Sequence, residues 1–287
     1  MAQAGEVAAR LAERGVEARL VPIQTAGDRG ASPRESAAGA KGLFVAEIVR
    51  ALQRGEVDLA VHSAKDLPSE DPDDVVVAAV PERADPLDVM VTPGPGDVPR
   101  GARVGTSSLR RRAQLLRSRP DLQVEDVRGN VDSRLRRLSE GAFDGLVLAA
   151  AGLRRLGLEP EHASPIPLEE MVPAPGQGAL AVHALLGSEA EALVRPLDHG
   201  RSRTAFETER RLVALLGGGC RLPLGAYAEW RRGSVRVLAV VLRPDGSDVA
   251  WAQVEARTPE RAAAEAAEVL LAAGAGEVLA EFGEEAR

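Results

Sequence analysis

One thiol, two lysines and two serine–arginine stretches are the residues of this sequence with the types and spacing to do chemistry. Cys220 is the only cysteine, in Leu216-Gly217-Gly218-Gly219-Cys220-Arg221-Leu222-Pro223. Three glycines and a following X-Pro pair break a helix, so the thiol belongs on a loop, where Arg221 favours its thiolate. Two readings stay open on this stretch alone: a reactive tether, or a small buried hydrophobe, the commoner fate of a lone cysteine. Lys65-Asp66 follows an apolar run ending at Val61 and precedes Pro68, which puts the pair on a strand-end turn. An aspartate among cations there is ionised and suited to holding N–H donors or steadying a developing positive charge. The alternative is a turn aspartate in a surface ion pair worth little. His62 is either a base or a core histidine, and Ser63 adjoins it too closely for a Ser/His/Asp triad.

Thr106-Ser107-Ser108-Leu109-Arg110-Arg111 places hydroxyls and free N–H groups at a helix start, with two guanidiniums one turn on. A helix N-terminus favours an anion, and an arginine fork matches a carboxylate with two parallel bonds. An ordinary cap followed by a solvated basic face fits equally well. Arg128-Gly129-Asn130 with Arg134 repeats the arrangement, and two such starts point to a polyanionic ligand. Lys41 in Gly39-Ala40-Lys41-Gly42 is not a Walker lysine, because Gly42 stands where Ser or Thr is needed.

The elements that must hold these groups alternate. Helices are expected over 1–14 and 41–52, and strands over 18–23, 57–61, 75–80 and 89–91, with a crossover between domains at 81–86. The rhythm repeats as strand 103–105, helix 109–117, strand 122–127, helix 132–138, strand 145–149 and a helix bearing Arg154 and Arg155. Pro173-Ala174-Pro175-Gly176-Gln177-Gly178 punctuates, and 179–182 is a strand that can return to the first unit. Such alternation argues for open α/β sheets, whose ligands sit beyond the carboxyl ends of the strands. A helix over 204–215 leads to the cysteine loop. Antiparallel strands 235–242 and 249–255 follow, joined through Pro244-Asp245-Gly246, and two alanine-rich helices close a small α+β unit. Residues 25–40, rich in Gly, Ala, Ser and charge, read as a long functional loop.

At 287 residues, two or three domains are expected. Only 2% of residues are aromatic, so the cores rest on Leu, Val and Ala. Net charge is −7, yet residues 100–137 hold eleven arginines against four acids. A basic stretch in an acidic chain suggests a local anion site rather than a general affinity for nucleic acid. Of 36 basic residues only Lys41 and Lys65 are lysines, and lysine alone is a compact charge with a tunable pKa. One cysteine and four histidines give neither a disulfide framework nor zinc spacing. With no charged-then-apolar leader and no apolar run of about 18 residues, a cytoplasmic protein off the membrane is expected.

Seven stretches in order resemble the porphobilinogen deaminase (hydroxymethylbilane synthase) family: Lys41-Gly42-Leu43-Phe44, Val61 to Pro68, Gly105 to Arg111, Arg128-Gly129-Asn130, Ala151 to Leu158, Pro175 to Ala179, and Gly218-Gly219-Cys220. The resemblance implies two lobes similar to type II periplasmic binding proteins plus a small C-terminal α+β domain. Their expected limits are 1–82 with 178–197, 86–174, and 200–287. It further implies that Cys220 carries a dipyrromethane cofactor by a thioether. On that cofactor four porphobilinogens are joined head to tail with loss of ammonia, giving hydroxymethylbilane. Asp66 matches the catalytic position. Lys65, Asp66, Ser107, Arg110, Arg111 and Gly129 match cofactor contacts, and Ser63, Arg128, Arg134 and Arg155 match positions that bind substrate carboxylates. A monomer with no metal and no nucleic-acid or membrane partner is expected. Residues 29–40 fall where the family has a lid loop. The family opens with a strand and a Gly-Thr-Arg-x-Ser-x-Leu-Ala motif, whereas Met1-Ala2-Gln3 already reads as the first helix, so an unfilled strand position is expected in the first lobe. The rival reading is a two-lobed anion-binding protein without chemistry, which gives no reason for a reachable Cys220.

Overall fold

The computed structural model describes residues 1–23, 40–217 and 222–283. Helices α1 (Ala2–Ala12) and α2 (Ala40–Gln53) come first, then strand β1 (Ala60–Ser63), a 3-10 turn (Ala64–Asp66) and β2 (Val75–Ala79). The middle of the chain forms β3 (Asp88–Val91), β4 (Arg103–Gly105), α3 (Leu109–Ser118), β5 (Gln123–Glu125), α4 (Val131–Ser139), β6 (Gly145–Ala149), α5 (Ala150–Arg155) and β7 (Ala163–Pro165). After β8 (Leu180–Leu185), α6 (Glu189–Val194) and α7 (Gly200–Leu215) lead to β9 (Leu224–Arg231), β10 (Ser234–Leu242) and β11 (Val249–Ala256). Helices α8 (Pro259–Ala272) and α9 (Ala275–Gly283) end the described chain.

The first sheet runs β1-β8-β2, antiparallel throughout. Its central strand is Leu-Ala-Val-His-Ala-Leu because both faces are covered: Leu180, Val182 and Ala184 meet Val7 and Leu11 of α1, and Ala179 and Ala181 share a core with Val45, Val49 and Leu52 of α2. The second sheet runs β5-β4-β6-β3-β7, with β5, β4 and β6 mutually parallel and β3 antiparallel to its neighbours. Parallel pairing sends the carboxyl ends of β4, β5 and β6 to one edge, where ligands of open sheets bind. Two crossovers join the lobes and touch each other: Ala84 N–H donates to Gly178 O at 3.2 Å, and a Cβ on Gly178 (φ +85°) would stand 2.4 Å from Ala84 O.

The third sheet, β11-β10-β9, is antiparallel. Val235, Val237, Ala239 and Val241 of β10 face the alanines of α8, while Leu238, Val240 and Leu242 face Ala113 of α3 and Val172 of the second crossover. Small side chains let α8 lie close to the sheet, which is how a core with so few aromatic residues fills its space. Thr258 caps α8 by accepting from Arg261 N–H at 3.3 Å, with Pro259 in its first turn. The expected turn at 244–246 is present, with Gly246 at φ +85° packed so closely on α3 that a Cβ would lie 2.6 Å from Arg117 N.

The strand expected over 18–23 does not form. Leu20 and Val21 are exposed, and no described strand lies beside them to complete a ladder. The strand expected at 57–61 begins at Ala60 instead, the span for which β8 supplies partners. Residues 29–39 of the expected lid lie outside the described residues, and Ala40 begins α2.

Candidate active site

The Lys65-Asp66 turn is held at both ends. Ala64 N–H donates to Ala179 O at 3.0 Å, and Leu67 N–H closes the 3-10 turn on Ala64 O at 3.2 Å. Lys65 and Asp66 are half-buried. The turn stands between two cavities of about 230 Å³ each. One is walled by Gln3, Ser63, Lys65, Asp66 and Arg155 between the N-terminus of α1 and the second lobe. The other is walled by Lys65, Ser108, Arg110, Phe206, Arg210 and Leu222, between both lobes and the third domain. Lys65 borders both.

Arg155 sits at the end of α5, just past β6, and spans the lobes. Its Nε lies 2.9 Å from Glu6 Oε2, and its Nη2 donates to Gly178 O at 2.8 Å. Glu6 also pairs with Arg10 at 2.9 Å, and Gln3 Nε2 donates to Ser63 Oγ at 3.3 Å. Helix α1 thus contributes polar groups to the cleft as well as packing.

Arg110 and Arg111 follow Ser108, which caps α3 by accepting from Arg111 N–H at 3.4 Å. Both guanidiniums turn inward onto Asp88, the fully buried first residue of β3. Arg111 Nη2 reaches Asp88 Oδ1 at 2.7 Å and Arg110 Nη2 reaches Oδ2 at 2.8 Å. Gln177 Nε2 adds a third donor to Oδ1 at 2.8 Å. Burial works to raise the Asp88 carboxyl, but the adjoining Arg110 and Arg111 charges outweigh it and hold the group well below the usual carboxylate range. Two cations against one anion leave a net positive charge beside the cavity. Arg110 Nη1 donates to Val172 O at 2.7 Å, and its Nε is buried with no hydrogen-bond partner among the described residues.

The second helix start lies on the same edge and meets the Asp66 cavity only through Val131, the first residue of α4. Asn130 caps α4, accepting from Ser133 N–H at 2.9 Å, and Gly129 takes φ +103° so tightly that a Cβ would stand 2.1 Å from Ser133 Oγ. Arg134 Nε donates to Gly129 O at 2.9 Å, and burial, with Arg111 nearby, lowers its pKa. Arg128 is exposed, and Ser107 Oγ donates to Val127 O at 2.7 Å. The cavities therefore gather Ser63, Lys65, Asp66, Arg155 and Arg110. Ser107, Arg111, Arg128, Gly129 and Arg134 stand behind or beside them, and Cys220 lies outside the described residues.

Residues 1–192 match the family model for the porphobilinogen deaminase, dipyromethane cofactor binding domain, and 204–273 match the porphobilinogen deaminase, C-terminal domain. The chain belongs to the porphobilinogen deaminase family. It is similar to the porphobilinogen deaminase of Brevibacillus brevis, 44% identical over 91% of this chain and 86% of the relative. That of Rubrobacter xylanophilus is 44% identical over 97% and 92%, and that of Thermus thermophilus 46% over 91% and 87%. Among solved structures, the periplasmic VFT2 domain of Bordetella pertussis BvgS aligns at 14% identity with a TM-score of 0.39, over 68% of this chain and 76% of its own, too distant to bear on the fold.

A deaminase of this family holds dipyrromethane, and the donors present fit such a group. A pyrrole chain bearing acetate and propionate arms needs fixed cations and N–H donors, and Lys65, Ser108 and Arg110, whose Nε alone among these has no hydrogen-bond partner among the described residues, stand around one cavity. Leu222, two positions beyond Cys220, lines the same cavity.

Three groups escaped the sequence reading. Asp88 heads an apolar strand, and an acid in that place signals a buried partner, but its partners lie more than twenty positions away. Glu209 of α7 is fully buried and accepts from Arg83, Gly176 N–H and Ala228 N–H, at 2.7, 2.6 and 2.7 Å, joining the crossovers to the third domain. Arg210 pairs with Asp71 through both Nη atoms at 2.7 and 2.8 Å, tying α7 to the segment just past the Asp66 turn.

Proposed function

We infer that this deaminase joins four porphobilinogen molecules head to tail, releasing ammonia at each step, to give hydroxymethylbilane. The observation that carries the reading is Asp66, set on a tied turn at a cleft with Ser63, Lys65 and Arg155, in a chain matching the family over both of its models. When bound through Cys220, dipyrromethane supplies the nucleophilic pyrrole carbon from which the product grows.

This chain's residues bind, orient and steady charge. Porphobilinogen loses its amine as ammonia and leaves a cation spread over the pyrrole ring. A carboxylate at Asp66 accepts the ring N–H and stabilises that cation where water is scarce. Lys65, Arg155 and Ser63 seat the acetate and propionate arms. Because Arg155 already holds Glu6, an arriving carboxylate exchanges one anionic partner for another, and the arginine is never left bare. Arg110 offers its unpartnered Nε to an arm of the bound group, while Asp88 keeps both guanidiniums aimed. Ser107, Gly129, Arg128 and Arg134 are assigned to carboxylates reaching the carboxyl end of β5.

The proposed domain limits, 1–82 with 178–197, 86–174 and 200–287, follow the three sheets. A cytoplasmic monomer is proposed as well, supported by the single cysteine. No described helix is long and apolar enough to cross a membrane. The test is incubation with porphobilinogen alone. Appearance of a linear tetrapyrrole that cyclises with loss of water to a porphyrinogen, which air then oxidises to a coloured porphyrin, with one ammonia released per molecule consumed, supports the reading. Binding of porphobilinogen without consumption supports the anion-binding alternative instead.

A further inference from the structure

We propose that Gly176 is a positioning residue: its missing side chain fixes the distance between the cysteine-bearing domain and the Asp66 turn. Gly176 takes φ +73° in the second crossover, and a Cβ there would lie 2.8 Å from both Ala64 C and Lys65 N, and 3.0 Å from Ala64 Cβ. Those first two atoms are the peptide that opens the turn, and backbone cannot swing aside as a side chain does. On its other side Gly176 N–H donates to Glu209 Oε2 at 2.6 Å. Glu209 lies on α7, the helix that precedes Cys220 in the chain, and it is clamped by Arg83 and Ala228 N–H. The crossover at 176 is thus one backbone thick, with α7 against one side and the turn against the other. Adding a methyl group forces one of them outward by several tenths of an ångström. Displacements of that size at a reacting carboxylate lower the chemical step more than they lower binding.

The inference rests on Asp66 being the group that steadies the reacting cation. The sequence patterns at 173–178 show only a break between elements, and nothing in them distinguishes the two close-packed glycines. Gly178 packs on Ala84 O in the other crossover, whereas Gly176 alone meets the turn.

The experiment compares Gly176→Ala with Gly187→Ala in the full chain carrying its bound group, with loading checked by denaturing mass. Gly187 has nearly the same backbone angle, φ +75°, with nothing within 4 Å of a built Cβ, so it reproduces the strain without the clash. The expected result is a kcat at least tenfold lower for Gly176→Ala, a KM for porphobilinogen within threefold of the parent, and a parental kcat for Gly187→Ala. A kcat within twofold of the parent for Gly176→Ala overturns the inference, as does an equal loss in both variants. Should Gly176→Ala fail to fold, Ala64→Ser adds one atom to the same contact from the turn side. A reduced kcat at unchanged KM there supports the inference, and an unchanged kcat overturns it. A parent chain that consumes no porphobilinogen defeats the functional reading itself, a result distinct from an active parent with an unaffected variant.

Discussion

Asp66 owes its place to short-range bonds: the Ala64–Ala179 hydrogen bond fixes the start of its turn, and the turn's own closure on Leu67 fixes the end. Lys65 and Arg155 share its cavity, and the role proposed for it is to meet a cation formed in the cleft. Asp66→Asn removes the charge at constant size. Turnover of porphobilinogen should fall at least 100-fold, about 3 kcal/mol in the barrier, while the urea midpoint stays within experimental scatter. Retention of most activity would remove Asp66 from its assigned role. This residue was legible in the sequence because a polar pair between an apolar strand and a proline has few places to go. Arg110 and Arg111 were legible as cations at a helix start, but not as partners of Asp88. That pairing depends on β3 lying across the sheet from α3, a tertiary fact that local spacing does not carry.

At the scale of elements, β1 and β8 bring His62 and His183 together on the buried face beneath the turn, ring centres 5.0 Å apart. His183 Nε2 lies 3.2 Å from Asp71 Oδ1, and Asp71 is held by Arg210. Burial first, then the neighbouring His183, lowers the His62 pKa to about 3, against smaller opposing effects of Asp71 and Asp66. His62 therefore stays neutral when folded but takes up a proton below about pH 6.5 when unfolded. The unfolded state binds more protons between those two values, so stability is lost as pH falls from about 6.5 towards 3. By pH 4.5 His62 should cost roughly 2 to 3 kcal/mol relative to pH 7. Urea unfolding of the parent and of His62→Gln at both pH values checks this, with the variant showing the shallower loss. Equal losses in both proteins would show that other groups govern the acid limb. Elements buried on two faces, β8 and β10, announced themselves as apolar runs. Residues 18–23 carried a similar pattern and formed no strand, because a pattern describes a face and a ladder needs a neighbour.

Across the whole molecule, the third domain is docked by buried charge as well as by β10. Glu209 serves Arg83 and two backbone N–H groups with no exposed atom, and Arg83 in turn donates to Gln177 O at 2.8 Å and stacks over Tyr227 with its guanidinium carbon 5.3 Å from the ring centre. Glu209→Ala takes the anionic partner from the Arg83 guanidinium, leaves two buried N–H groups without an acceptor and should cost about 3–5 kcal/mol. The exposed pair Arg261–Glu265 on α8 makes the contrast: Glu265→Ala should cost under about 0.5 kcal/mol. Denaturant titration of the two variants would measure both, and similar costs would mean that Glu209 is not the junction described here. The α/β lobes could be read from the alternation of strands and helices. The junction could not, since Arg83 and Glu209 stand 126 positions apart with no motif around either.

The central claim is that a thiol tether feeds a growing polyacid past Asp66 and a ring of fixed cations. Intact mass under denaturing conditions tests it most directly, comparing the parent chain with Cys220→Ser after exposure to porphobilinogen. The account predicts an added mass in the parent that survives denaturation, maps to the peptide containing Cys220 and is absent from the variant. Catalytically active parent protein with an unmodified Cys220 would contradict it.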